Sequence, residues 1–304
     1  MDCKIIVNPV AGRGKTAALA HQVRDALAKR GVKFDFAVTK GPGDATNLAR
    51  SAAEQGWQIV VSLGGDGTVS EVINGLVGTN SALGIISCGT GNDIARSLGV
   101  PTDPGQALNT ILAGGRRKID VGVENDQVFA NIAGVGFSSD VTSQANAMQR
   151  LKGSLAFLAA TYKTLANLKT MQTRIELDDE IIETKVINVT ISNMKYAGGG
   201  MVFAPDAVVD DGLFDISIAR EIGRASFALT FPQMYRDVGV IHPAYSRYRS
   251  STVKIFTEQP SEKMFDGNIN GRTPLEAKIL PKAIEVLVPC NVGANTRFAP
   301  TLAG

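Results

Sequence analysis

Histidine is scarce in this chain, with two in 304 residues; cysteine occurs three times and tryptophan once. Two histidines leave no material for a Ser-His-Asp triad or a histidine-ligated metal. Cys3, Cys88 and Cys290 are odd in number and far apart, which excludes a zinc pattern and a disulfide framework and points to a reducing, cytoplasmic setting. An excess of one charge is also missing: 31 basic residues face 29 acidic ones, a formal net charge of +2. Nucleic acid is therefore not an expected partner. No apolar run approaches the roughly 18 to 20 residues of a transmembrane helix. CKIIVNP near the start has no signal-peptide shape, so any membrane contact is expected to be peripheral. Neither a repeat nor a low-complexity segment occurs.

What is present is apolar material, 44% of the residues with only 20% charged, enough for a large core and two domains. Over residues 1–120, KIIV, FDFAV, IVVSL and LGII alternate with helical patterns at Thr16–Lys29, Asp44–Gln55 and Thr68–Leu76 and with a fourth after LGII. That alternation predicts a Rossmann-like α/β domain around a parallel sheet, with ligands where the strands end. Beyond Asp120 the chain turns β-rich, with VGVEND, QVFANIAGVGF, TRIELDD, EIIETKVINVTIS and AIEVLVP broken by Gly, Asp and Asn turns. Residues 121–304 are expected to form an antiparallel β-sandwich domain, with a hairpin turn at Asp178-Asp179 and helical stretches over Gln144–Leu168 and Arg224–Asp237. The tail TRFAPTLAG reads as loosely ordered and free to return to the first domain.

Three loops stand out. In GGDGT, a strand runs into Gly64, Gly65, Asp66 and Gly67, and Thr68 with Glu71 has the spacing of a capping box for the next helix. Glycines there permit positive φ and expose N–H groups at a helix N-terminus, where negative oxygens gather. Asp66 among such donors suits an accompanying divalent cation. One glycine-rich turn is a weak signal, since an ordinary strand-to-helix connection looks the same. But NPVAGRGKT also follows a strand and opens a helix, as does SCGTGNDIAR with Thr90, Asn92 and Asp93. The first is not a Walker loop, because Pro9 stands where that pattern needs glycine.

With these motifs in this order, joined by NIAGVGFSSDV, DDGLFD and FDGN, the chain resembles the diacylglycerol kinase catalytic family, in particular its soluble bacterial lipid kinases, related to sphingosine and ceramide kinases. The resemblance implies an ATP- and Mg²⁺-dependent lipid kinase of phospholipid metabolism: an α/β nucleotide domain, a β-sandwich domain bringing the lipid hydroxyl, and a homodimer working at the membrane surface. It implies that Asn8, Pro9, Gly12, Arg13 and Thr39 border the nucleotide, that Gly64, Gly65, Asp66, Gly67 and Thr68 cradle its phosphates, and that Thr90, Asn92 and Asp93 complete the floor. It further implies a structural Mg²⁺ on Asp211 with the carbonyls of Val208 and Leu213, hard oxygen ligands that suit this ion; a plain β-turn is the competing reading of DDG.

One departure concerns the acceptor of the attacking hydroxyl's proton, a glutamate of an Asp-Gly-Glu triplet in the family. Here the triplet reads Asp266-Gly267-Asn268, and an amide cannot take a proton near neutral pH. Asn268 can still orient a hydroxyl, with Asp266 as the nearest replacement carboxylate. The alternatives are a slow kinase and a nucleotide- and lipid-binding protein without turnover. NAD kinases share GGDGT and form the second enzymatic alternative. Asp140, at the end of a strand, is a candidate for a lipid headgroup hydroxyl or a helix cap. Arg150 and Lys152 could neutralise phosphate charge or simply be solvated. RASFALTFPQMY, with His242, Arg247 and Arg249, could meet a lipid interface, with core packing the alternative for its apolar residues.

Overall fold

The computed structural model describes residues 2–148 and 154–290, so Arg150, Lys152 and the TRFAPTLAG tail lie outside the described residues. The chain divides into two units, Met1–Ile119 with Lys282–Gly304, and Asp120–Pro281.

The first unit contains β1 (Asp2–Val7), α1 (Thr16–Lys29), β2 (Lys33–Val38), α2 (Asp44–Glu54), β3 (Ile59–Gly64), α3 (Asp66–Leu76), β4 (Ala82–Ser87), α4 (Asp93–Ser97) and α5 (Pro104–Ala113). Every pairing among β2, β1, β3 and β4 is parallel, and the strands lie in that order. Both β3 and β4 bury all six residues, as strands covered on two faces must. The carboxyl ends of all four strands share one edge, and the loops after Val7, Val38, Gly64 and Ser87 leave from it.

Helices α2 and α3 meet through small residues. Ala45, Ala49 and Ala52 are buried on α2, and α3 offers Gly75, where a Cβ would stand 2.4 Å from the Thr46 carbonyl oxygen and 2.7 Å from Ala49 Cβ. Helix α3 turns inward the predicted face of Val69, Val72, Ile73 and Leu76.

The second unit begins within β5 (Arg116–Glu124) and continues through β6 (Gln127–Phe129), β7 (Ile132–Gly136), α6 (Phe137–Ala147), α7 (Ser154–Ala166), β8 (Met171–Glu176), β9 (Ile181–Ser192), β10 (Tyr196–Ala197), β11 (Met201–Val202), β12 (Phe214–Arg220), α8 (Arg224–Thr230), a 3-10 turn (Phe231–Tyr235), β13 (Tyr245–Ser250), β14 (Thr252–Thr257), β15 (Glu262–Phe265) and β16 (Asn268–Arg272). β17 (Leu275–Leu287) carries the chain back to the first unit. Pairings within the second unit are antiparallel. The twelve-residue β9 pairs with β8 along its first half and with β7 and β12 along its second, which splits the sheet into the layers of a sandwich. Phe129, Phe214 and Phe265 sit in its core, the first stacking on the second at 5.7 Å. The hairpin expected at Asp178-Asp179 joins β8 to β9.

The helix boundaries of the second unit differ from expectation. Helix α6 starts at Phe137, seven residues early, because Gly136 takes φ 90° and the Asn188 Oδ1 accepts both the N–H and the hydroxyl of Ser138. The helix expected over Arg224–Asp237 stops at Thr230 and tightens into the 3-10 turn, where Pro232 lacks the donor an α-helix needs.

Replacing Gly75 with alanine should lower stability by about 1–3 kcal/mol, because the main chain of α2 cannot yield to the new methyl. Helix propensity alone favours alanine by about 1 kcal/mol, so a net loss isolates the clash. Calorimetry should show the midpoint falling; an unchanged or higher midpoint would mean the two helices part freely.

Candidate active site

The first unit gathers its three glycine loops at the carboxyl edge of the sheet. Asn8 N donates to the Leu63 carbonyl at 3.1 Å, and Asn8 Nδ2 donates to Thr68 Oγ1 at 2.9 Å, tying the first loop to α3. Gly12, at φ 59°, lies so close to Cys88 that a Cβ would stand 2.5 Å from its carbonyl oxygen. Pro9 is exposed, and the side chain of Arg13 lies outside the described atoms. Thr39 is buried, with its N–H on the Val7 carbonyl at 2.9 Å.

Contrary to the sequence expectation, the glycines of GGDG do not serve positive φ, and none of the three adopts it. They serve close packing. A Cβ at Gly64 would collide with Thr68 Oγ1 at 2.5 Å, and one at Gly65 would press on the Gly89 main chain at 3.3 Å. Gly67 is different, because a side chain there would meet nothing within 4 Å. The expected capping box is also absent. Helix α3 begins two residues before Thr68, on Gly65, with no side chain capping it. Glu71 instead accepts the N–H groups of Gly43 and Ala45 at 2.9 and 3.1 Å, capping α2. The first N–H groups of α3 thus have no intrahelical acceptor and no side-chain cap.

Asp66 reaches from α3 to α4, its Oδ1 accepting Ile94 N–H at 3.0 Å. Burial pushes its carboxyl above the usual range, Asp93 adding to the effect and the Ile94 N–H opposing it. Asn92, at φ 53°, has a buried Oδ1 with no hydrogen-bond partner. Asp93 is buried and Thr90 is exposed. Hard oxygens of this kind fit Mg²⁺, which is typically held by one or two carboxylates together with substrate phosphates. Among the described residues no group of three His, Cys, Asp or Glu side chains forms a complete protein cage.

In the second unit, Asp266 is built into the structure. Its carboxylate accepts the N–H groups of Ala130, Asn131 and Ile132 at 2.7, 3.0 and 2.9 Å, and its own N–H returns to the Ile132 carbonyl at 2.8 Å. These three donors fix its orientation. Next come Gly267, at φ 83°, and Asn268, exposed at the start of β16. Gly267 lines an apolar cavity of about 150 Å³, open at its mouth and walled by Phe137, Val141, Phe157, Phe203, Phe227 and Met234 among others.

Asp140 lies in the first turn of α6 but is not among the residues lining this cavity. It borders a separate polar pocket with Lys169, Glu262 and Arg272. Burial raises its carboxyl, with Lys169 opposing and Glu262 adding. At the DDG turn, Asp211 pairs with Arg249 and accepts Leu213 N–H at 3.1 Å, while Asp120 accepts Gly212 N–H at 2.7 Å. Protein donors therefore already hold this turn. Arg249 already neutralises Asp211, so a cation on Asp211, Val208 and Leu213 must compete with that guanidinium. Nearby, burial pushes the Asp215 carboxyl up to about 6, with Arg249 opposing and Asp211 and Asp206 adding.

Residues 2–123 match the diacylglycerol kinase catalytic domain, and residues 131–288 match the YegS C-terminal NAD kinase beta sandwich-like domain. A diacylglycerol kinase of Mycobacterium tuberculosis (strain CDC 1551 / Oshkosh) is 33% identical over 293 residues, 93% of this chain and 94% of its relative. The chain belongs to the diacylglycerol kinase family. A diacylglycerol kinase of Bacillus subtilis (strain 168) is 30% identical over 290 residues, covering 94% of this chain and 96% of that one. A crystal structure of a diacylglycerol kinase from Bacillus anthracis strain Sterne superposes with a TM-score of 0.76 at 25% identity, covering 96% of this chain and 98% of that one. The protein is an enzyme with a kinase catalytic domain, and no helix among the described residues is long and apolar enough to cross a membrane.

The cavity escaped the sequence because its walls read as core. Phe227 and Met234 sit in RASFALTFPQMY at spacings that a packed helix would also use, and only the alternation with Leu229 and Tyr235 hinted at two apolar faces.

A pH titration tests the DDG region. Asp215 holds its proton more tightly folded, near 6, than unfolded, near 3.9. Its contribution to stability is therefore intact at low pH and declines as pH rises from about 4 to 6, by up to roughly 2–3 kcal/mol. Asp215→Asn should flatten that decline in denaturant melts taken across the window, and millimolar MgCl₂ should flatten it in the native chain if a cation joins Asp211. Parallel pH profiles for variant and native protein would contradict the assignment.

Proposed function

We propose that this enzyme transfers the γ-phosphoryl group of ATP, with Mg²⁺, to a hydroxyl of a membrane lipid, diacylglycerol in the first instance. The observation that carries the reading is the apolar cavity with Gly267 in its lining, one residue from Asn268. The apolar lining of this open cavity suits acyl chains, and the Asp266 turn would hold a headgroup hydroxyl at its rim.

The main-chain N–H groups at the start of α3 and along the first loop would bind the phosphates, in the space left open at Gly67. Asp66 and the unpartnered Asn92 oxygen would hold the metal. Mg²⁺, when bound, neutralises charge on the transferring phosphoryl group. The lipid hydroxyl oxygen forms the new bond to the γ-phosphorus, the bond to the β,γ-bridging oxygen breaks, and ADP leaves. Asn268 would accept a hydrogen bond from the hydroxyl and aim it, while the proton passes to water or to the phosphoryl oxygens. A loose transition state tolerates this, because little negative charge is demanded of the nucleophile. The enzyme would work in the cytoplasm, peripherally at a membrane, and as a homodimer in line with the sequence expectation.

Two specific observations favour other readings. Asn268 favours a binding protein without turnover, and the NAD kinase-like description of the sandwich favours phosphorylation of NAD. Labelled ATP offered with diacylglycerol, sphingosine, ceramide or phosphatidylglycerol in mixed micelles, and separately with NAD, decides among them. Diacylglycerol should be phosphorylated slowly, and Asn268→Glu should raise kcat by about 10² or more. Transfer to no lipid by either form would overturn the proposal, and labelled NAD would replace it.

A further inference from the structure

The roof of the cavity is apolar on its outer face as well as its inner one. On α7, Phe157 and Thr161 line the cavity while Leu158 and Tyr162, their sequence neighbours, are 46% and 67% exposed. On α8, Phe227 faces in and Leu229 is 77% exposed; in the 3-10 turn, Met234 faces in and Tyr235 is 57% exposed. In the following loop Val240 faces in, and Val238 and Ile241 are 55% and 71% exposed. Scattered single apolar residues on a surface need no explanation, but a contiguous set does.

These residues belong to one patch. Ile241 N–H donates to Gln233 Oε1 at 3.1 Å, the Arg247 guanidinium donates to the carbonyls of Val238 and Val240 at 3.0 and 3.1 Å, and Ser226 meets His242 at 3.3 Å. Helices α7 and α8 pack on each other, with Ala160 and Phe227 in one apolar cluster. The charges around the patch are mostly positive. From Arg224 to Arg247 the chain carries three arginines and one carboxylate, Asp237, which contacts Lys195 at 3.4 Å. Glu221 lies just before this stretch, and α7 carries one charge, Lys163.

We infer that the outer face of α7, α8, the 3-10 turn and the Val238–Ile241 loop docks on an anionic lipid bilayer, and that its lipid enters the cavity through this wall. This rests on the proposed lipid substrate. A wall apolar on both faces is stable where hydrocarbon lies on both, as it does when acyl chains fill the cavity and the leaflet meets its outside. Arginines at the margin then reach anionic headgroups, each contributing about a fivefold gain in binding. A peptide or protein partner would use the apolar face but has no need of the cavity behind it.

The test is cosedimentation of the full chain with phosphatidylcholine vesicles, with and without a one-third share of phosphatidylglycerol, in the absence of ATP. Leu229→Ser with Ile241→Ser should lower partitioning onto the mixed vesicles by about tenfold, with the melting temperature unchanged because both side chains are outside the core. Arg224→Gln with Arg236→Gln should weaken binding to the phosphatidylglycerol-containing vesicles alone. Phosphorylation of a short-chain diacylglycerol dispersed as monomers should survive the Leu229/Ile241 change. Vesicle binding unaltered by that change, or absent in the native chain, overturns the inference. So does a native dimer that the change converts to a monomer while vesicle binding persists, since the face would then pair two copies. Native protein that binds vesicles through this face yet phosphorylates no lipid would leave docking standing and remove the kinase reading.

Discussion

Main chain lying directly against main chain is the constraint on which the first unit's chemistry depends. Gly12 rests on Cys88, Gly89 on Gly65, and Gly64 beneath the Thr68 side chain, each so close that an added methyl would stand under 3 Å from its neighbour. With loops packed backbone to backbone, side chains are absent from the sheet edge for internal reasons, and the amides at the start of α3 are left without a capping side chain. The helix dipole adds its partial positive charge at the same place. Tight packing and the proposed phosphate cradle would thus draw on the same residues. Gly67 differs from its neighbours in GGDG, because a side chain there would meet nothing within 4 Å, so packing gives it no reason to be glycine.

In the second unit the corresponding anchor is a carboxylate. Asp266 accepts three successive amides at the entrance to β7 and so fixes the turn that carries Gly267 and Asn268. A turn held this firmly can aim an amide as well as a carboxylate, which separates positioning from base catalysis. On the proposed reading, the Asp-Gly-Asn triplet would keep the first and give up the second. The DDG turn follows a similar logic, with Asp120 and Arg249 holding it by hydrogen bonds and charge.

Much of the first unit was legible because period-two and period-3.6 patterns and glycine placement are local properties. Helix α1 runs over the expected residues, and α2 ends one residue short. Where local pattern misled, tertiary partners had intervened. Thr68 and Glu71 have capping-box spacing, yet Glu71 is drawn 28 positions away to Gly43, and Thr68 is occupied by Asn8. Asp266 bonds residues about 135 positions earlier in the chain, which no window of sequence can reveal. The cavity was illegible for a different reason. Periodicity reports which residues avoid water, and a packed core and a hollow lined with the same side chains give one pattern.

The account stands or falls on bare amides at the first unit's sheet edge receiving the triphosphate. The most direct measurement is the amide nitrogen–proton spectrum of the labelled protein titrated with Mg²⁺-ATP. The resonances of Gly12, Gly65, Asp66, Gly67 and Thr68 should move together and saturate together, with those of α5, on no loop of that edge, hardly shifting. Saturable binding that leaves these five amides still, or no binding at all, would contradict it.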